Sequence, residues 1–184
     1  MDRLTLIRPD DWHLHLRDGA GMAAVLGDTA RRFGRAIVMP NLDPPVRTTQ
    51  QALHYRERIL GELPEGSAFD PLMTLYLTDD TPPEEIARAK LSGRVHGVKL
   101  YPAGATTHSE KGVTRISRCF LALEKMEQLG LPLLIHGETT DPMVDVFDRE
   151  KAFVDEVLGP VVERFSRLKI VLEHVTTRDA VQYV

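Results

Sequence analysis

Six short runs rich in apolar residues recur along this chain, each followed by a helix-like or turn-rich stretch. They are WHLHL (12–16), RAIVMPN (35–41), PLMTLYLTD (71–79), VHGVKLYP (95–102), LPLLIHGE (131–138) and KIVLEHV (169–175). Several are almost continuously apolar, the pattern of parallel strands covered on both faces. Helices are predicted over TTQQALHYRERILGEL (48–63), TPPEEIARAKLSG (81–93) and RISRCFLALEKMEQLG (115–130). Threonines cap the first, prolines and acids fill the first turn of the second, and apolar residues at helical spacing run up to Gly130 in the third. A fourth, DREKAFVDEVLGPVVERFSRL (148–168), is expected to be interrupted or kinked near Gly159-Pro160, because proline lacks an amide hydrogen and its ring collides with the preceding turn.

Strand–helix alternation at this spacing predicts an α/β fold with right-handed crossovers. An open sheet and a closed barrel both satisfy it, and the positions of the polar residues favour the barrel. His13, His15, Asn41, Lys99, His136 and His174 sit near the C-terminal ends of different strands. A (β/α)8 barrel gathers those ends around one mouth, whereas an open sheet concentrates a site at its switch point. Such barrels need roughly 250 residues, and the chain has 184. The expectation is a single domain over 1–184 holding about the first six βα units of a TIM barrel, ending within the helix after the sixth strand.

Net charge of −4 argues against a general nucleic-acid binder. The start, MDRLTLIRPDDW, has no apolar leader core, and no run approaches the roughly 20 apolar residues that span a bilayer. Cys119 is the only cysteine, which excludes an internal disulfide and fits a reducing compartment. A cytoplasmic location, with neither membrane nor nucleic-acid partner, is expected.

His13 and His15 are two apart in a strand, so they share a face at a spacing of about 6.6 Å and can converge on one ion. Two half-exposed strand histidines explain the pair equally well. His136 and His174 each end an apolar strand, where a buried imidazole needs a partner. Four histidines at equivalent strand ends point to metal rather than packing. His54, His96 and His108 lack that placement and read as structural or surface residues. Lys99, at the end of the fourth strand, faces the same mouth. Either it pairs with Glu138 or Glu173, or burial and nearby metal lower its pKa and its free amine takes up CO2, giving an anionic carbamate ligand.

In order along the chain, DWHLHLRDG (11–19), VMPNLDPP (38–45), KLYPAGATTHS (99–109), LLIHGE (133–138) and LEHVTT (172–177) together resemble the dihydroorotase family of the bacterial, single-function type, within the amidohydrolase superfamily. The resemblance runs from about Ile7 to the end of the chain. It implies reversible cyclisation of N-carbamoyl-L-aspartate to L-dihydroorotate in pyrimidine synthesis. It implies two zinc ions, one held by His13 and His15, the other by His136 and His174, bridged by carboxylated Lys99. Substrate contacts implied are His15, Arg17, Asn41, Thr106, Thr107 and His136. For the residues themselves, other readings stand beside these: Arg17 as a surface arginine paired with Asp18 or Asp11, Asn41 as a turn residue before Pro44-Pro45, and PAGATTHSEKG as a flexible loop. The family's general base, an aspartate after the eighth strand, is expected beyond residue 184, leaving this stretch alone inactive or nearly so. A homodimer is left open. Competing functions are a hydantoinase- or allantoinase-like cyclic amidohydrolase, which needs no carboxylate-binding Arg17–Asn41 pair, and a non-catalytic scaffold subunit.

Overall fold

A computed structural model describes residues 5–184. The first four residues, part of the stretch read above as lacking a leader core, lie outside the described residues. Six parallel strands form one sheet in sequential order: β1 (Asp11–Leu14), β2 (Arg35–Val38), β3 (Asp70–Tyr76), β4 (Val95–Leu100), β5 (Leu133–Ile135) and β6 (Ile170–Leu172). Sequential parallel order with helical crossovers is the connectivity of a barrel wall, and the sheet is the curled α/β half-barrel of the (β/α)8 type.

The helices are α1 (Gly19–Arg32), α2 (Thr49–Gly61), α3 (Pro83–Leu91), α4 (Phe120–Leu129), α5 (Arg149–Phe153), α6 (Gly159–Arg164) and α7 (Arg178–Tyr183). Each of the first four turns an apolar stripe to the sheet: Met22, Leu26 and Ala30 from α1, Ala52, Tyr55 and Ile59 from α2, Ile86 and Ala89 from α3, and Ala122, Leu123 and Met126 from α4. These side chains join Val38, Leu75, Val98 and Leu133 of the strands in one core. No helix among the described residues is long and apolar enough to cross a membrane.

The capping read from sequence is present in α2, where Thr48 accepts from the Gln51 amide and the Gln51 side chain returns to the Thr48 amide. Helix α1 is a departure from the sequence reading, which named no helix there. Three glycines in GAGMAAVLGDTARR depress its propensity. Its side chains at i, i+4 and i+8 nevertheless bury fully, so packing outweighs propensity. The interruption predicted near Gly159-Pro160 takes the form of a π turn over Val154–Leu158, in which the Gly159 amide donates to the Val154 carbonyl. The wider turn accommodates the missing amide of Pro160 while the chain stays helical.

Every strand stops two or three residues before its predicted end, β2 for example at Val38 rather than Asn41. His15, Asn41, His136 and His174 therefore sit just past the ladder, where the chain turns outward, while His13 and Lys99 remain inside β1 and β4.

Candidate metal centre

The strand ends bring five of the six predicted polar residues to one cavity of about 270 Å³, lined by His13, His15, Arg17, Asn41, Tyr101, Thr106, Thr107, His136 and His174. Lys99 lies beneath it, fully buried. A larger recess of about 330 Å³ adjoins on the far side of Arg17, with Leu42, Pro45, His54, Arg58 and His108 in its wall. It contains none of the candidate ligands, so the smaller cavity is the chemically equipped one.

The imidazoles meet in pairs. His13 and His15 approach to 3.1 Å between their Nε2 atoms, as their shared strand face predicts. His136 Nδ1 lies 3.2 Å from His174 Nε2. The two pairs adjoin, with the His13 and His174 rings 5.2 Å apart. Among the described residues no three His, Cys, Asp or Glu side chains converge as a ready-made cage; the donors stand two by two.

Burial, reinforced by the charges of His13, Arg17 and Lys99, lowers the His15 pKa to about 4. His136 and His174 are also lowered, chiefly by burial, with Lys99 adding to it and Glu138 partly opposing it at His136. Rings kept neutral at pH 7 hold free lone pairs, the form a divalent cation requires. In each pair two ring nitrogens face each other at hydrogen-bond distance. His13 Nδ1 is buried 3.0 Å from Glu173 Oε1 but is not aligned with it as a hydrogen bond. The donor set therefore fits imidazole-bound metal.

These depressed values carry a sign for stability. A histidine whose folded pKa lies below its unfolded 6.5 stabilises the fold above pH 6.5 and loses that contribution as pH falls toward 4. Metal-free chain is expected to lose about 1–2 kcal/mol between pH 7.5 and pH 4.5 from these half-exposed rings, solvent screening allowed for. Urea unfolding at the two pH values measures it, and an unchanged midpoint would refute it.

Lys99 takes the simpler of its two sequence readings: Nζ donates to Glu173 Oε2, and both side chains are buried. Burial pulls the lysine pKa down against the pull of Glu173. Burial also acts to raise the Glu173 carboxyl, but His13 and Lys99 outweigh it and hold it below the usual range. Glu138 instead pairs with His136 Nε2 at 2.8 Å.

Arg17 turns inward. Its Nη1 lies 3.3 Å from His15 Nδ1 and 3.3 Å from Asn41 Oδ1, while Asp18 takes Arg58 and caps α1. The Arg17 backbone has φ of 64°, and its carbonyl accepts from the buried Tyr55 hydroxyl of α2. Asn41 is 1% exposed and donates through Nδ2 to the Thr107 carbonyl at 2.9 Å. The asparagine thus ties the 102–113 loop, with Thr106 and Thr107, to the end of β2. That is a structural bridge as well as a place beside Arg17, rather than a plain turn residue. The only non-glycine residues with positive φ among those described are Arg17, His108 and His174. All three border the mouth, where strained backbone tends to concentrate in functional sites.

Sequence reasoning passed over three residues here. His108, read as structural or surface, is exposed but places Nδ1 3.3 Å from the Asn41 carbonyl. Glu173 entered only as a partner for Lys99, yet it also abuts His13. Tyr101 was not singled out, although its i+2 relation to Lys99 in the strand-end run was a legible signal.

No family model matches the chain. It is 67% identical over 182 residues to a dihydroorotase of Cupriavidus pinatubonensis, covering 99% of this chain and 53% of that protein. The chain thus spans about half the length of the curated relatives it matches. Among solved structures, dihydroorotase from Campylobacter jejuni superposes with a TM-score of 0.87 at 40% identity, over 95% of this chain and 50% of that one. Dihydroorotase from Saccharomyces cerevisiae in complex with 5-fluoroorotic acid gives 0.85 at 33%, over 95% and 49%. An L-hydantoinase from Arthrobacter aurescens gives 0.68 at 14%, over 96% and 43%, a likeness of fold alone.

Proposed function

We propose, from the chain's membership of the dihydroorotase family, that the whole protein interconverts N-carbamoyl-L-aspartate and L-dihydroorotate in pyrimidine synthesis. The observation that carries this reading is the meeting of four histidines with an inward-turned Arg17 and Asn41 at one rim. His13, His15, His136, His174 and Lys99 would hold two zinc ions, Lys99 as the carbamate formed when its ammonium releases a proton and the free amine adds CO2 with loss of a second proton. Bound divalent metal supplies Lewis-acid polarisation of an amide carbonyl and lowers the pKa of water.

The remaining chemistry belongs to the chain's own side chains. Arg17 offers a planar fork to a carboxylate, and Asn41 beside it can donate or accept. His15 and His136 stand where they can touch the ring as well as metal. Thr106 and Thr107, on the loop that Asn41 tethers, can close hydrogen bonds over the ligand. A neutral hydantoin ring has no group to answer Arg17, which supports the carboxylate-bearing substrate over a hydantoinase-like activity. Intact candidate ligands support an enzyme over a scaffold subunit. A cytoplasmic setting suits Cys119, a buried free thiol.

Zinc-loaded whole protein is expected to turn over dihydroorotate and leave hydantoin essentially untouched. Equal activity on both rings, or none on dihydroorotate, would overturn the reading.

A further inference from the structure

Tyr101 leaves the chain two residues after Lys99, on the same inner face. It is 1% exposed, yet it lines the histidine cavity. Its ring lies 5.1 Å from Lys99 Nζ and 6.3 Å from the His136 ring. Its hydroxyl is buried and has no hydrogen-bond partner among the described residues. The neighbouring buried tyrosines differ: Tyr55 donates to the Arg17 carbonyl and Tyr76 to the His108 carbonyl. A buried hydroxyl left unpaired is destabilising and uncommon, and phenylalanine would fill the same space without that penalty. The residue that carries it lines a cavity, so a ligand there can provide the missing acceptor. Its ring stands against Lys99 and His136, whereas Arg17 pairs with Asn41. The acceptor it meets is therefore on the metal-facing part of the ligand, away from the carboxylate.

We infer that Tyr101 is a substrate-contacting residue whose hydroxyl donates a hydrogen bond to the carbonyl oxygen of the amide that is broken or formed. The inference rests on the function proposed above and adds a residue to it. A donor aimed at an oxygen that gains charge in the transition state acts on kcat more than on KM.

The test is Tyr101→Phe in the whole zinc-loaded protein, assayed on dihydroorotate beside wild type. The expected result is kcat lower by about 10²-fold with KM changed less than about threefold, zinc content unchanged, and a thermal midpoint equal to or above wild type because an unpaired polar group has been removed. Four results would overturn the inference: unchanged kcat, a raised KM at unchanged kcat, lost zinc accompanying the lost activity, or a lowered thermal midpoint with normal turnover. Wild type inactive on dihydroorotate would remove the functional reading and this inference with it. Active wild type with an equally active variant would remove only the inference.

Discussion

Replacing Glu173 with glutamine is expected to destabilise the chain by about 3–5 kcal/mol, because it leaves a buried lysine without its counter-charge. Lys99 is 0% exposed, its ammonium donates to Glu173, and it also lies over the face of Tyr101. Glutamine keeps the shape and one acceptor but no charge. Lys99 then has to shed its proton or remain charged in an apolar setting, and the direction of its pKa shift indicates which way it yields. The deficit is therefore expected to shrink as pH rises toward 9. Replacing both partners, Lys99→Met with Glu173→Leu, should restore much of the loss, since a well-packed apolar pair avoids desolvation altogether. Urea unfolding of the metal-free chain measures both variants against the unchanged chain. A Glu173→Gln loss below about 1 kcal/mol would mean that the pair is not the buried charge centre seen here.

Changing His13 and His15 together to asparagine in the whole protein is expected to abolish turnover and to weaken zinc binding by more than about 100-fold. Loss of partners that merely orient ligands already lowers metal affinity 10–100-fold. The two Nε2 atoms face each other at 3.1 Å, and asparagine places its amide on a shorter stem with no nitrogen lone pair to give. Zinc analysis after dialysis, together with an activity assay, reads the effect. Two zinc ions retained per chain would show that the pair is not part of the metal centre. The fold should survive, because neither ring belongs to the apolar core.

Much of the architecture was legible along the chain. Apolar runs alternating with capped, amphipathic segments led to a parallel α/β wall, and the strand-end histidines indicated a barrel mouth rather than an open-sheet switch point. His13 and His15 could be paired from spacing alone because strand periodicity is local geometry. Helix α1 escaped that reading because its glycines lower propensity, while the burial of Met22, Leu26 and Ala30 depends on a sheet that local sequence does not display. Strand ends were read too long because apolar residues continue past the last ladder bond into the turns that carry the site.

By itself, then, the sequence determined which side chains can do chemistry and on which face of a strand each one stands, since both follow from residue identity and a two-residue repeat. Only the tertiary structure decided their partners: Glu173 between Lys99 and His13, Asn41 between Arg17 and the Thr107 carbonyl, and Tyr101 with none. Those pairings join residues 24 to 160 positions apart in the chain. They are set by how neighbouring strands register and how far each loop leans over the mouth, which no local pattern encodes.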